Sequence, residues 1–340
     1  MRHDCPMISV VIVSHNGLGY LRRSISSILR SNYSFFEIIV VDNGSSDGSV
    51  QHIQDEFAKW LNRIIVLPLR FNHGFSVGNS IGASKVSGEY ILFLNNDTEV
   101  DPSCLGELIN TMEHDTSIGA AQAKILFMDR RDTFDSTGVF LNVVGCGRTR
   151  GLNEKDRGQY LNLDEISYAK GAAMVVRKNV WNRLEGFDSL FFTYFEETDF
   201  CWRVWLSGYR VVFIPSAKVF HTGAATISKL GSSKFNFQFY RNRIVTVVKN
   251  LSLKNLVKYV PWLVIMYLIR IMRHTRENDA VSVLGILRGI FWCIRFFKSV
   301  WTKRQMVQRL RIVGDENLFR RGVISQSART LIWDVGFPKL

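Results

Sequence analysis

The sequence contains no stretch of about 20 continuous apolar residues, the length a helix needs to cross a bilayer. With 340 residues, 46% of them apolar and 21% charged, that excludes a multi-span membrane protein and a disordered chain alike. Cysteines are few, and Cys5, Cys104, Cys146, Cys201 and Cys293 are scattered without any C-x-x-C spacing. This excludes a zinc knuckle and a disulfide framework, and it suits a reducing compartment. The opening MRHDCPMISVVIVSHN lacks the cleavage site and the long apolar run of a secretory leader, so its apolar part is expected to be a strand. There is no internal repeat and no low-complexity tract. Most of the chain also lacks a charge bias. Up to residue 248 it carries 26 basic and 25 acidic residues, whereas from 249 onward 17 Lys and Arg face only five Asp and Glu. The tail therefore calls for an anionic partner, nucleic acid or the anionic face of a membrane.

What is present is a regular alternation. MISVVIVS (7–14), EIIVV (37–41), RIIVLP (63–68) and YILFLNND (90–97) are short apolar, β-branched runs of buried-strand type. Between them, Leu21, Ile25, Ile28 and Leu29, and then Val50, Ile53 and Phe57, recur at helical spacing. RFNHGFSVGNS (70–80) is expected to be a loop before a short helix, and Asp101-Pro102 to start another helix as N-cap and first residue. The alternation predicts an α/β fold with a mostly parallel sheet flanked by helices on both faces. From 118 to 221 the pattern is mixed, with a strand expected in SYAKGAAMVVRK (167–178), a short helix around Asp199–Leu206 and a strand at Arg210–Ile214. Two units are expected, residues 1–250 and a C-terminal helical, amphipathic extension at 251–340.

In that extension YVPWLVIMYLI (259–269) is continuously apolar but too short to span about 30 Å of hydrocarbon. On one helix over 280–301, Arg288, Arg295 and Lys298 would share a side, leaving Leu284, Leu287, Ile290, Phe291, Ile294 and Phe297 to face elsewhere. That pattern describes a helix lying in the membrane interface.

Ligands of parallel sheets bind beyond the C-terminal strand ends, which is where SHN (14–16), DNGSSDGS (42–49) and NND (95–97) fall. Asp42 at its strand end suits a base or ribose, or caps the turn before the next helix. Asn72, Gly74, Gly78 and Asn79 form a stretch where backbone can approach a ligand. Asp97, with oxygens from Asn95 or Asn96, suits a hard cation, because Mg2+ or Mn2+ takes one or two protein carboxylates and completes its shell from phosphates and water. Gly171 and Ala172 permit close approach to a sugar, or tight packing. Glu196, Glu197 and Asp199 also suit the acidic first turn of a helix. Arg241 and Arg243 are placed to contact a diphosphate or to close a helix onto the sheet.

VVIVSHN, VVDNGSSDGS and NHGFSVGNSIGASKVSGEYILFLNNDTEV, followed by GFDSLFFTYFEETDFCWR and PSAKVFHTGAAT, resemble in sequence and order the signature series of family 2 glycosyltransferases. The resemblance covers about residues 7–250, and the subgroup it is similar to includes many rhamnosyltransferases of surface polysaccharide synthesis. It implies a nucleotide-diphospho-sugar-binding sheet of GT-A type and metal-assisted, inverting transfer. It implies that Ser14, Asn16, Asp42, Asn72, Asn79, Asn95, Asn96 and Gly171 line the nucleotide-sugar, with Asp42 as the base-binding acid. Asn95-Asn96-Asp97 stands in the place of a D-x-D motif, so Asp97 matches the metal-binding acid and Asn95 removes one negative charge. Glu197 matches the catalytic base, with Glu196 as the neighbouring alternative. His221 matches a histidine that completes the metal or diphosphate site.

The expected reaction moves a sugar from a nucleoside-diphosphate donor, such as dTDP-rhamnose or a UDP-sugar, to a glycan or lipid-linked acceptor hydroxyl. The cofactor is Mg2+ or Mn2+, and the acceptor surface is expected in 127–165. The extension would hold the enzyme peripherally on the cytoplasmic side of the membrane, with no nucleic-acid partner. Two rivals are a sugar-nucleotide-forming nucleotidyltransferase, which ordinarily has a basic Gly-rich loop that SHNGLGY lacks, and a non-catalytic basic adaptor.

Overall fold

The computed structural model describes residues 5–223 and 232–327. The N-terminal half runs β1 (Ile8–Ser14), α1 (Leu18–Leu29), β2 (Phe36–Asp42), α2 (Ser49–Glu56), β3 (Ile64–Pro68), α3 (Gly74–Ala83), β4 (Tyr90–Asn95), β5 (Thr98–Val100), α4 (Cys104–His114) and β6 (Ile118–Phe127). Four short strands follow, β7 (Phe134–Ser136), β8 (Val139–Asn142), β9 (Gly147–Thr149) and β10 (Asp164–Glu165). Then come β11 (Ala173–Arg177), α5 (Lys178–Arg183), α6 (Glu196–Leu206) and β12 (Arg210–His221). The C-terminal part holds α7 (Ser232–Asn250), α8 (Leu253–Arg276), α9 (Ala280–Arg295), α10 (Phe297–Leu310), α11 (Asp315–Arg320) and β13 (Ile324–Ser325).

The main sheet has the order β10-β12-β6-β11-β4-β1-β2-β3, with β5 added to β12 and β7 to β6. Its β4-β1-β2-β3 part is parallel, as the alternation requires, while β11 runs antiparallel between β4 and β6. Apolar cores fill both faces, which is why these strands are near-continuous apolar runs rather than alternating ones. A small second sheet, β13-β8-β9, occupies the mixed region.

Several boundaries differ from expectation. Residues 74–80 are not loop but the body of α3, because its glycines serve packing: a Cβ on Gly82 would lie 2.5 Å from Val11 Cγ1 and 3.0 Å from Val41 Cγ2. Asp101 organises a preliminary turn, its Oδ1 accepting from Ser103 N at 3.0 Å, and α4 proper begins at Cys104. Only residues 173–177 of the expected strand at 167–178 pair in the sheet, and β12 extends well past Ile214 to His221.

The C-terminal helices share the core of the sheet unit, with Tyr240, Val247, Leu256, Tyr259, Leu263, Met266 and Val307 continuous with Val11, Phe93 and Phe213. Lys249 of α7 reaches Asp188 at 2.6 Å and Asp199 of α6 at 3.0 Å, and Asn250 donates to Asp199 at 2.9 Å. These buried charges are paired as burial demands.

The apolar run at 259–269 lies within a 24-residue helix that contains Pro261, long and apolar enough by length and composition to cross a membrane, although 39% of its most apolar window is buried in the protein. The helix is thus longer than the 11-residue apolar run read from the sequence, at roughly 36 Å for its 24 residues at 1.5 Å per residue. Residues 280–301 are not one helix either. At Phe296 the chain bends by 73° between α9 and α10, so that Val300, Arg304 and Val307 turn inward and are buried. Arg288 and Arg295 therefore lie on α9 and Lys298 on α10, and the single shared side is not formed.

Candidate functional site

The parallel register pairs Ser14 with Asp42 and Val13 with Asn95, so the polar ends of β1, β2 and β4 emerge side by side. Asn96 Nδ2 donates to Ser14 Oγ at 2.9 Å. Asn16 adopts a left-handed backbone (φ 50°), its N–H donating to Ser45 Oγ at 3.0 Å and its Oδ1 accepting from Ser46 N at 2.8 Å. The SHN and DNGSSDGS clusters are thus one structure. A Cβ on Gly17 would lie 2.3 Å from Asn96 Nδ2, so the glycine leaves room for the Asn96 side chain beside Ser14. Asp42 is buried; Oδ2 accepts from Ser45 N at 3.1 Å, and Oδ1 is sealed from solvent without a donor.

Sequence reasoning passed over Asn43, which links this edge to α3. Its Nδ2 donates to Asn72 Oδ1 and to Gly74 O, both at 3.1 Å, and its Oδ1 accepts from His73 N at 2.9 Å. Asn79 is buried and turned into α3, its amide donating to Phe75 O at 2.9 Å.

On the neighbouring side, β5 pairs with the end of β12 so that Thr98 lies opposite His221. Asp97 Oδ1 is 3.3 Å from His221 Nε2 and has no hydrogen-bond donor beyond that approach. Asn95 Nδ2 lies 3.5 Å from the same nitrogen. Behind the ring, His221 Nδ1 is 2.6 Å from Asp135 Oδ2, and Lys170 Nζ is 2.6 Å from Asp135 Oδ1. Burial alone would lower the His221 pKa, but the Asp135 hydrogen bond and the nearby Asp97 carboxylate outweigh it and raise it. Asp135 is the reverse: burial would raise its carboxyl, but His221 and Lys170 hold it down at about 2. Asp135 and Lys170 were missed because no spacing rule connects them to residue 221; FDSTG before a mixed segment was the available signal.

Asp97 and His221 fit a hard divalent cation as a partial donor set: a carboxylate oxygen and an imidazole nitrogen face one another, and the imidazole is braced from behind by a carboxylate. Among the described residues no three His, Cys, Asp or Glu side chains converge to enclose a cation, so the remaining ligands would have to be phosphate oxygens and water.

The third component is the first turn of α6, entered through Tyr194 (φ 67°) and Phe195 (φ 73°), two consecutive non-glycine residues in the left-handed region. Glu196 is 3% exposed and Glu197 half-buried, and one carboxylate oxygen of each is sealed without a donor. Burial, then the neighbouring Glu197, raises the Glu196 pKa well above the ordinary carboxyl range. Burial also raises Glu197, against hydrogen bonds that lower it and the nearby charge of Lys170. A Cβ on Gly171 would lie 3.9 Å from Glu197 Cδ and 3.4 Å from the Phe75 ring, so residue 171 borders both the glutamate and α3.

Arg241 is buried and donates to Leu190 O and Gln238 Oε1, both at 2.8 Å, and Arg243 is buried, so both lie in the packing of α7. Residues 224–226 of PSAKVFHTGAAT lie outside the described residues.

The profile of Glycosyl transferase family 2 matches residues 9–184, more than half of the chain. The "Low-salt glycan biosynthesis hexosyltransferase Agl10" of Haloferax volcanii is 24% identical over 244 residues, covering 70% of this chain and 74% of that protein. In three further curated relatives, from Sinorhizobium fredii, Haemophilus influenzae and Myxococcus xanthus, the match spans only 25%, 37% and 18% of their length. Among solved structures, GalNAc-T7 with UDP, GalNAc and Mn2+ superposes with a TM-score of 0.61 at 16% identity, covering 86% of this chain and 58% of that one. The mannosyltransferase PcManGT from Pyrobaculum calidifontis, in complex with GDP-Man and Mn2+, gives 0.53 at 13% identity, covering 98% and 89%. At such identities the structures establish the fold, which is GT-A. The family profile runs from β1 through the Asp42 and Asp97 strand ends to α5, and this chain belongs to glycosyl transferase family 2.

Proposed function

We propose that the chain is an inverting, divalent-cation-dependent glycosyltransferase that moves a sugar from a nucleoside-diphosphate donor to a glycan or lipid-linked acceptor hydroxyl. The observation that carries this reading is a set of buried carboxylate oxygens without hydrogen-bond donors: Asp42 Oδ1, Asp97 Oδ1, Glu196 Oε2 and Glu197 Oε2. Each buried acceptor left unmet costs about 1–3 kcal/mol, and more when charged. A nucleotide, a cation and an acceptor hydroxyl would supply what they lack.

On this reading Asp42 receives the base or ribose, while Ser14, Asn16, Asn72, Asn79, Asn95, Asn96 and Gly171 belong to the donor's surroundings. Asp97 Oδ1 and His221 Nε2 would hold Mg2+ or Mn2+, which when bound neutralises charge developing on the departing diphosphate. Glu197 takes the proton of the attacking acceptor hydroxyl. Burial and the neighbouring Glu197 raise the pKa of Glu196, the more deeply buried of the pair, well above the ordinary carboxyl range, whereas burial raises Glu197 against hydrogen bonds and the charge of Lys170 that lower it, which supports Glu197 over Glu196 as base.

The donor sugar is a rhamnose or another hexose carried on dTDP or UDP. The acceptor surface falls in 127–165, around β7 to β10. The enzyme sits peripherally on the cytoplasmic leaflet through α8 and α9. Support comes from exposed Val257, Leu268, Phe291 and Ile294 beside exposed Arg288 and Arg295, an interfacial pattern. Membership of a glycosyltransferase family argues against both the nucleotidyltransferase and the adaptor.

The test is nucleoside-diphosphate release from a panel of sugar nucleotides, with Mn2+ and with excess chelator, followed by anomeric analysis of the transfer product. Full turnover in chelator would refute the cation dependence, and retained anomeric configuration would refute inversion.

A further inference from the structure

Asp135, in FDSTG (134–138), has no assigned part in the reaction described above, yet its two carboxylate oxygens each make a charged contact of 2.6 Å. We infer that Asp135 is a positioning residue whose single carboxylate sets the His221 imidazole and the 169–172 loop in register, one oxygen for each. The inference rests on the cation reading of Asp97 and His221.

The sheet pairing brings these residues together. Strand β6 pairs antiparallel with β7 (Leu126 with Phe134) and parallel with β12 (Phe127 with His221), so Asp135 and His221 meet at the end of a common strand. Asp135 is 3% exposed and His221 5%, so the contact is shielded from water and its geometry is fixed. An acceptor 2.6 Å from Nδ1 keeps a hydrogen on that nitrogen and turns Nε2 toward Asp97, 3.3 Å away. A carboxylate placed behind a histidine in this way fixes the tautomer and strengthens the forward nitrogen as a ligand. The other oxygen, Oδ1, receives Lys170 Nζ at 2.6 Å, and Lys170 N donates to Gln122 Oε1 at 2.8 Å. The next residue is Gly171, which borders Glu197. One buried carboxylate therefore ties the cation-side imidazole to the backbone beside the proposed base. A plain buried ion pair would account for Lys170 and Asp135, but not for the ring held between two carboxylates.

The experiment titrates Mn2+ into the full chain in the presence of inorganic pyrophosphate and follows the electron spin resonance of free Mn2+. Asp135→Ala should weaken Mn2+ binding by about 10–100-fold, the usual effect of losing such a partner. Asp135→Asn should weaken it less, because an amide oxygen still accepts from Nδ1–H. Asp135→Ala/His221→Ala should bind no more weakly than His221→Ala, since Asp135 acts through that ring. Where Asp135→Ala does not fold, Asp135→Asn completes the same cycle. Lys170→Ala should lower turnover without weakening Mn2+ binding. Wild-type affinity in Asp135→Ala, or losses that simply add in the double variant, would overturn the inference; so would equal loss of turnover and affinity in Lys170→Ala. Failure of the wild type itself to bind Mn2+ with pyrophosphate would instead refute the cation reading beneath it.

Discussion

Two adjacent glutamates, Glu196 buried and Glu197 half-buried, give a test that separates their roles by stability as well as by rate. Burial and the charge of Glu197 raise the Glu196 pKa well above its ordinary 4.5. Below that ordinary value both folded and unfolded chains hold the proton, and Glu196 costs nothing. As pH rises, the unfolded chain releases the proton while the folded chain keeps it, so stability falls by about 1.4 kcal/mol per pH unit until the folded pKa is reached. Glu196→Gln removes that dependence. The variant should gain on the wild type with this slope as pH rises from about 5, which is the sign expected of a carboxyl whose pKa is raised by folding. For 340 residues, with an unfolding entropy of about 2.1 cal/mol/K per residue, each pH unit corresponds to a relative midpoint shift of about 2 °C. The introduced amide still offers an N–H to Glu197, so turnover should be largely kept. Glu197→Gln retains shape but takes no proton, and turnover should fall about 10²–10⁴-fold. The assay is denaturant unfolding at several pH values between about 5 and 8, paired with initial rates. Parallel stability curves for wild type and Glu196→Gln would refute the raised Glu196 pKa, and loss of turnover in Glu196→Gln alone would move the base by one residue.

Asp97→Asn should abolish transfer while leaving the thermal midpoint nearly unchanged, and chelator should reproduce it in the wild type; transfer at the wild-type rate would remove Asp97 from the cation site. Gly82→Ala should destabilise, because overpacking against Val11 and Val41, about 1–3 kcal/mol, exceeds the roughly 1 kcal/mol gained in helix propensity, whereas Gly19→Ala on the open face of α1 should stabilise by about 0.5–1 kcal/mol. Midpoint shifts of the same sign would refute the close-packing account of α3. Arg288→Glu/Arg295→Glu should weaken sedimentation with anionic vesicles by at least about 2 kcal/mol, near 30-fold, and the wild-type binding should weaken with salt. Equal binding to neutral and anionic vesicles at both salt concentrations would remove charge from the attachment.

The sheet was legible because a parallel strand buried on both faces must be apolar throughout, as in VVIVS and YILFLN, and the polar residues that follow mark its end. The same logic brought Ser14, Asp42 and Asn95 to one edge before any register was known. What was not legible depended on contacts between segments distant in sequence. Gly74 and Gly78 in 70–80 suggested a loop because their local preference is for turns, yet Gly78 and Gly82 let α3 lie against Val11, Val13 and Val41. The bend at Phe296 is set by burial of Val300, Arg304 and Val307, which no periodicity over 280–301 could register. Asp135 lies 86 residues from His221, and only the pairing of β6 with both β7 and β12 brings them together.

The substitution of Asn for the first acid of the D-x-D pattern acquires a physical reason from this arrangement. Asn95 Nδ2 lies 3.5 Å from His221 Nε2, the nitrogen that also faces Asp97. Asp97 and Asp135 already act to raise the His221 pKa, with Lys170 opposing them. A third carboxylate at residue 95 would favour the imidazolium further, and an imidazolium offers no lone pair to a cation. If His221 and Asp97 hold the proposed cation, a neutral amide at 95 would leave the ring more available as a ligand, at the expense of one negative charge toward the cation. With a single carboxylate and one imidazole from the chain at the proposed site, much of the compensating charge would have to arrive with the diphosphate. On this reading cation and donor bind as a unit, and the polar strand ends from Asp42 to Asp97 serve as one receptor for both.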